Sequence, residues 1–218
     1  MLMMTASQNR ERRSPPDECL SAIQRLRYEV YCLERKFRDV SDCPDGLEQD
    51  EYDPHSIHVY ATDDVGDVVG TVRLVQDSAL GLPIQQRHGE LSIPALDIPR
   101  SEWAEISRLI LAKGYRQRTL DQPLLLWGLF GRMFEESRRQ GITYWIAAME
   151  ENLWRLLRRF GFPFTPIGDA IDYFGQVVPY GATVDSLEPG YQKIRAFQRQ
   201  MASSRPELIG KFQLAIAA

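Results

Sequence analysis

The chain has 218 residues, of which 44% are hydrophobic and 26% charged, and its formal net charge is −4. This composition predicts a soluble globular protein with a hydrophobic core of useful size. No run of 18 or more apolar residues occurs, so a transmembrane helix is not expected.

The first residues and the cysteines indicate the domain organisation and the compartment. Residues 1–16 lack the apolar segment of a secretory signal, so we interpret them as a disordered leader before one domain, residues 17–218. The cysteines Cys19, Cys32 and Cys43 are odd in number and form no C-x-x-C, which argues against a disulfide framework or a zinc site. A reducing, cytoplasmic location follows, and no metal site is predicted.

The first half of the chain contains one helix and three strands. Apolar residues at helical spacing predict a helix over residues 17–37, and residues 39–54 form an acidic loop. Residues 56–62 and 68–75 read as two strands of a hairpin. Residues 80–99 are rich in glycine and proline and are interpreted as a loop with short elements.

The second half alternates strands with helices. The predicted elements are a strand at 104–112, a helix at 122–140, a strand at 143–149, a basic helix at 151–160, a strand at 176–184 and a helix at 191–201. The strand at 143–149 is almost wholly apolar and is therefore expected to be central. The tail, residues 212–218, is too short to anchor the protein. This order predicts a mixed α/β (α+β) fold, with a central mixed, twisted sheet flanked by helices.

The charges are distributed unevenly along the chain. Residues 39–107 contain 15 acidic and 3 basic residues, whereas residues 108–159 contain 10 basic and 5 acidic ones. The acidic part suits an ammonium substrate, and the basic part suits an acidic protein or a phosphate. The alternative is that both are solvated faces without a partner. A nucleic-acid partner is not expected because no known module surrounds the basic residues.

One segment after the central strand is similar to a known family. Residues 152–162, NLWRLLRRFGF, resemble the segment of GNAT acyltransferases in which a short helix and a Gly-Phe turn close the acyl-carrier cleft. The alternative is an amphipathic helix that ends at a glycine C-cap. The resemblance implies a GNAT-like fold.

Four further blocks resemble the autoinducer synthases that make acyl-homoserine lactones, and the related N-acyl amino acid synthases. The blocks begin at Arg27 (RYEVY), Glu48 (EQDEYD), Gly70 (GTVRL) and Glu105 (EISR), in the order and at the approximate spacing of that family. They cover about half of the chain. The resemblance implies an enzyme that transfers an acyl group to an amine.

The chain also departs from the autoinducer synthases. Phe37 stands where they usually carry a tryptophan, and the strand after Arg73 lacks their Pro-Thr pair. Residues 82–86, LPIQQ, resemble a stretch of the acyltransferases associated with the exosortase (PEP-CTERM) sorting system. These differences favour an N-acyl amino acid over a homoserine lactone as the product.

The resemblance implies roles for individual residues. The implied catalytic residues are Glu105, Ser107 and Arg108, with Glu105 as the base that deprotonates the amine. The implied substrate-binding residues are Arg27, Tyr31, Phe37, Asp50, Asp53 and Arg73. Backbone N–H groups of the strand at 105–111 are expected to stabilise the oxyanion. The alternative for the charged residues is that they pin the first helix and the acidic loop.

The donor is predicted from the basic half of the chain. Residues 112–120, AKGYRQRTL, lack the glycine-rich cradle with which ordinary GNAT enzymes hold coenzyme A, so acyl carrier protein is preferred over acyl-CoA as the co-substrate. The predicted docking residues are Lys113, Arg116, Arg118, Arg155, Arg158 and Arg159. No tightly bound cofactor is expected, and any association with a membrane surface is expected to be weak.

Three other functions remain open at this point. The chain is alternatively a true autoinducer synthase that uses S-adenosylmethionine, an ordinary CoA-dependent GNAT enzyme, or a non-catalytic module that binds or senses acyl groups.

Overall fold

The computed structural model describes residues 16–88, 91–92, 97–116, 121–208 and 210–217. The predicted leader lies outside these residues except for Pro16, which is the first residue of a helix.

The described residues form helices and strands in alternation. The helices are α1 (Pro16–Tyr28), α2 (Pro83–His88), α3 (Asp121–Arg139), α4 (Glu151–Phe160) and α5 (Glu188–Ser204). The strands are β1 (Ser56–Thr62), β2 (Val68–Gln76), β3 (Trp103–Leu111), β4 (Tyr144–Met149), β5 (Thr165–Pro166), β6 (Ile171–Asp172), β7 (Gln176–Thr183) and β8 (Gln213–Ala217). A π-helical segment, Glu29–Glu34, continues α1.

The strands form one mixed sheet in the order β5-β7-β4-β3-β2-β1-β8, and β6 pairs with the start of β7. All neighbouring strands are antiparallel except β3 and β4, which are parallel. A mixed central sheet flanked by helices confirms the predicted α/β class.

Side-chain alternation in the strands gives the sheet two buried faces. Val72 and Leu74 of β2 belong to the main core, together with Leu129 and Met133 of α3. The opposite face is covered by α1, where Leu26 and Val30 pack with Ile110 of β3. The acidic loop and α2 continue this second layer, so the charged residues of the loop lie over β2 and β3.

Most predicted elements are confirmed, with shifted ends. The predicted helix at 17–37 is shorter, because the α-helix becomes π-helical at Glu29 and the chain turns at Lys36, which has a φ of 55°. The strand β8 was not predicted. It pairs with the edge of β1 through residues His58–Thr62 and Gln213–Ala217, a long-range contact that local periodicity does not encode.

Two irregularities of β3 position the candidate site. Its register with β4 ends at Ile106↔Ala147, so the edge from Ser107 to Leu111 diverges from β4 and faces a cleft. Against β2, the pairing changes from Arg73↔Ser107 to Thr71↔Ile110, which places one extra residue in β3. Arg108 lies in this bulge with a φ of 53°. Because a bulge re-aims side chains, the consecutive Ser107 and Arg108 both contact the charged layer.

Candidate active site

A buried network of opposite charges joins α1, the acidic loop, β2 and β3. Arg27 of α1 is fully buried; its Nε donates to Glu48 at 2.5 Å and its Nη1 to Asp53 at 2.8 Å. Arg73 of β2 donates from Nη1 to Asp53 at 2.5 Å and binds both oxygens of Asp50, at 2.6 and 3.0 Å. These pairs fix the acidic loop against the sheet.

Glu48 is the centre of this network. It accepts hydrogen bonds from Arg108 at 2.8 and 3.2 Å and from Arg38 at 2.9 Å, in addition to Arg27. Burial alone would raise the pKa of Glu48, but Arg108 and Arg27 hold the pKa well below its usual range. The same balance of burial against Arg27 and Arg73 lowers the pKa of Asp53. Both carboxylates are therefore ionised, and each is held by more than one guanidinium group.

Glu105 differs from the other carboxylates. Its side chain is buried, and its Oε2 accepts a hydrogen bond from the backbone N–H of Ile84 in α2 at 2.7 Å. Burial raises the pKa of Glu105 to about 7, although that hydrogen bond and the charge of Arg73 oppose the increase. A carboxyl group with this pKa is ready to take a proton near neutral pH.

The cleft between the diverging strands β3 and β4 has a volume of about 320 Å³, and we call it the acyl cleft after the acyl chain that the resemblance to acyltransferases implies. Glu105, Ser107 and Arg108 line one part of it, and Phe130, Met149, Leu153, Leu157 and Phe164 line an apolar part. Of the residues expected from the resemblance to bind substrate, Tyr31 and Phe37 also line this cleft.

The acidic cleft, about 370 Å³, adjoins the acyl cleft. Four carboxylates line it, from Asp39, Asp42, Asp50 and Glu51, together with Arg38, Arg87 and Arg108. The two clefts share Phe37, Arg108, Tyr173 and Phe174 in their linings. The described lining of either cleft does not include Arg27, Asp53 or Arg73, so these three support the site from behind.

An aromatic cluster lies where the clefts meet. Phe174, in the β6–β7 turn, stacks on Phe37 at 5.3 Å between ring centroids and meets Tyr31 edge-on at 5.8 Å. Phe174 has a φ of 59°, a conformation that a bulky residue rarely adopts. The guanidinium of Arg108 lies 5.2 Å from the centre of the Tyr31 ring.

The predicted docking residues lie in two places. Arg155, Arg158 and Arg159 are exposed on α4, whose Leu153 and Leu157 line the acyl cleft. Arg116 lines the acyl cleft and pairs with Glu34. Lys113 is exposed in the turn after β3, and Arg118 lies outside the described residues.

The described part of the chain contains no group of three or more histidine, cysteine or acidic side chains that would hold a metal ion. None of its helices is both long enough and apolar enough to cross a bilayer. Cys19, Cys32 and Cys43 form no disulfide bond, and the sulfur atoms of Cys32 and Cys43 lie 3.9 Å apart.

Sequence reasoning missed several members of the site. Glu48 stood in a recognised block, but its central position depends on three side chains that are distant in sequence, those of Arg27, Arg38 and Arg108. Tyr173 and Phe174 carried no signal, because a two-residue strand and a turn leave no periodic pattern. The contact of Ile84 with Glu105 joins residues 21 positions apart and follows only from the fold.

Comparison with known proteins agrees with this geometry. Residues 26–127 match the family model described as an acetyltransferase (GNAT) domain. No curated protein sequence matches the chain significantly.

Solved structures share the fold at low identity. A CoA-dependent acyl-homoserine lactone synthase, BjaI, solved with SAM and isopentyl-CoA, has a TM-score of 0.62 at 23% identity over 82% of this chain and 83% of that one. The AHL synthase LasI has a TM-score of 0.62 at 17% identity, with 83% and 91% covered. FeeM, an N-acyl amino acid synthase from uncultured soil microbes, has a TM-score of 0.54 at 16% sequence identity. The match covers 79% of this chain and 87% of FeeM. The chain therefore has the GNAT fold.

Proposed function

We propose that this enzyme transfers a fatty acyl chain from an acyl carrier protein thioester to the amine of an amino acid, giving an N-acyl amino acid. The observation that carries the proposal is Glu105. Its buried carboxyl group, with a pKa raised to about 7, lies at the point where β3 leaves β4 and next to a cleft lined by four carboxylates.

The acidic cleft attracts the acceptor as an ammonium ion, and Glu105 takes a proton from it. An amine attacks a thioester only when its lone pair is free, so deprotonation precedes formation of the C–N bond. Asp50 is engaged by Arg73 and Arg108, and Asp53 by Arg27 and Arg73. Both carboxylates are occupied by these ion pairs, so Glu105 is preferred for this step.

The free edge of β3 stabilises the reacting carbonyl. Ser107 to Leu111 face the cleft without β4 as a partner, so their backbone N–H groups on that edge are available to the oxyanion. The tetrahedral intermediate collapses with cleavage of the C–S bond. The thiolate leaves and takes the proton held by Glu105, and the second proton that the nitrogen loses as it becomes an amide passes to water. No covalent enzyme intermediate is needed.

The apolar part of the acyl cleft accommodates the acyl chain. Phe130, Met149, Leu153, Leu157 and Phe164 supply a hydrocarbon surface. The described lining of this cleft does not include four neighbouring apolar residues, which are fully or almost fully buried in the cores: Leu125, Leu129, Trp145 and Ile146.

The donor follows from charge on the surface beside the cleft. Acyl carrier protein presents its arm from an acidic helix, and the exposed Arg155, Arg158 and Arg159 offer a complementary surface. Leu156, 42% exposed, adds an apolar anchor on the same helix.

The test is mass spectrometry of lipid extracts from bacteria that express either this chain or its Glu105→Gln variant. The proposal expects new N-acyl amino acids that the variant does not produce. Acyl-homoserine lactones instead would identify an autoinducer synthase like those named above. Absence of any new amide from cells that contain the folded protein would favour a module that binds acyl groups without turnover.

A further inference from the structure

We propose that Arg87 binds the carboxylate of the acceptor, so that the enzyme selects α-amino acids over amines that lack a carboxylate. This inference rests on the proposed function and assigns a residue to acceptor specificity. Arg87 lies in α2 and lines the acidic cleft, opposite the acidic loop.

The helix α2 connects Arg87 directly to the proposed base. The backbone N–H of Ile84 donates to Glu105, and Arg87 follows Ile84 by three residues in the same short helix. The two groups that an α-amino acid must meet, a base for its nitrogen and a cation for its carboxylate, are thus linked by one short helix, which contacts the base and carries the cation.

Arg87 is the cation of the acidic cleft whose charge is not already neutralised. Arg38 is paired with Glu48, and Arg108 is paired with Glu48 and Asp50. Arg87 forms no ion pair with any carboxylate in the described residues. Its guanidinium therefore keeps its capacity to bind an anion.

Arg87 has an aromatic neighbour that leaves its charge in place. Its guanidinium carbon lies 5.3 Å from the centre of the Tyr173 ring. A contact with an aromatic ring neutralises no charge, so the guanidinium group still attracts an anion. The planar arrangement of its N–H donors matches the two oxygens of a carboxylate.

The charges of the whole cleft indicate a zwitterion. Asp39, Asp42 and Glu51 line it and have no basic partner among the described side chains, so a simple carboxylic acid would be repelled. A simple amine would leave Arg87 without a function. An α-amino acid complements both kinds of charge in the cleft, because its ammonium group lies near the carboxylates and its carboxylate binds Arg87.

The test uses the purified enzyme, an acyl carrier protein loaded with a fatty acid, and two acceptor pools. One pool contains the protein amino acids, and the other contains the corresponding carboxamides, which keep the amine and lose the carboxylate. Products are identified by mass, and the ratio of acid to amide product is measured for each side chain. We expect wild-type enzyme to favour the acids, and Arg87→Gln to reduce the ratio at least about tenfold.

Two further variants make the result specific. Arg87→Lys keeps the charge and is expected to restore part of the preference. Arg100→Gln is the matched control, because Arg100 also lies over an aromatic ring, Trp103 at 5.3 Å, but is paired with Asp77 at 2.6 Å and is not among the described lining of the acidic cleft. It should leave the ratio unchanged.

The outcomes separate this inference from the proposed function. Equal use of acids and amides by the wild type, or an unchanged ratio in Arg87→Gln, would overturn the role of Arg87 while N-acyl transfer stands. No acylated product from either pool would contradict the proposed function itself, and the inference with it.

Discussion

At the scale of single residues, strand β3 carries two buried charged side chains, of which one is ion-paired and the other is not. Arg108 is neutralised by Glu48 and Asp50, whereas Glu105, three residues earlier, has no carboxylate-binding guanidinium within hydrogen-bond distance among the described residues. The difference comes from the bulge, which turns Arg108 toward the acidic loop and leaves Glu105 beneath α2. Desolvation therefore governs Glu105, and ion pairing governs its neighbours.

The titration of Glu105 predicts the pH dependence of catalysis. The base works only when ionised, so kcat/KM for the amine should rise through pH of about 7. Glu105→Gln should lose this rise with pH, and its kcat/KM should be at least about 100-fold lower than that of the wild type. The measurement is kcat/KM between pH 5 and 9 at saturating donor. A variant that kept the wild-type profile would show that another group is the base.

The same shift predicts an effect of opposite sign on stability. Between pH 4.5 and about 7 the folded protein retains a proton on Glu105 that the unfolded chain has already released. Stability is thus lost as pH rises through this window. At pH 8, Glu105→Gln should be more stable than wild type, by at most about 3 kcal/mol. Urea unfolding of wild type and Glu105→Gln at pH 5 and pH 8 measures this difference in the free energy of unfolding. A variant that is less stable than wild type by the same amount at both pH values would contradict the prediction.

At the scale of elements, the charge network adds ionic contacts between α1, the acidic loop and β3 to the apolar packing of α1 on β3. Arg27 comes from α1, Glu48 from the acidic loop and Arg108 from β3. Glu48→Gln would leave several buried guanidinium groups with insufficient negative charge. The expected cost is about 3–5 kcal/mol in the free energy of unfolding.

Glu51→Gln provides the comparison for that change. Glu51 lies three residues away in the same loop but is exposed, so its replacement should change stability by less than about 0.5 kcal/mol. Thermal and urea unfolding of both variants test the argument. Similar stabilities for the two variants would mean that the network does not hold the loop.

Local patterns were sufficient for most elements and insufficient for their tertiary partners. The alternation in β1 and β2 and the apolar run of β4 identified strands whose ends the structure places within about one residue. The pattern for β8 is short and partly exposed, and only its pairing with β1 makes it a strand. The blocks shared with the autoinducer synthases identified Glu105 and Arg108. Arg87 was missed because its position depends on α2, which lies in a segment interpreted as a loop.

At the scale of the whole molecule, the uneven charge along the chain becomes two surfaces around one site. The acidic residues of the loop line the cleft proposed for the acceptor, and the basic residues of α4 lie beside the cleft proposed for the acyl chain. The donor and acceptor are therefore expected to approach from regions of opposite charge, which reduces competition between them.

The basic surface of α4 predicts how the donor binds. Changing Arg155, Arg158 and Arg159 together to glutamate should raise KM for acyl carrier protein at least about tenfold at low salt. KM for acyl-CoA should change less, because that donor has no protein surface to dock on the outer face of α4. The matched control is the same change at Lys193, Arg195 and Arg199, which are exposed on α5. An equal effect of both triple variants would reject α4 as the docking surface.

The most direct test of the central claim is to follow thiol release and amide formation together in the purified enzyme. Acyl carrier protein loaded with a fatty acid is mixed with the amino acid pool, and the free thiol and the N-acyl product are quantified in wild type and in Glu105→Gln. The account predicts one amide for each thiol released by wild type, and neither by the variant. Thiol release without amide, or an unchanged amide yield in Glu105→Gln, would contradict it.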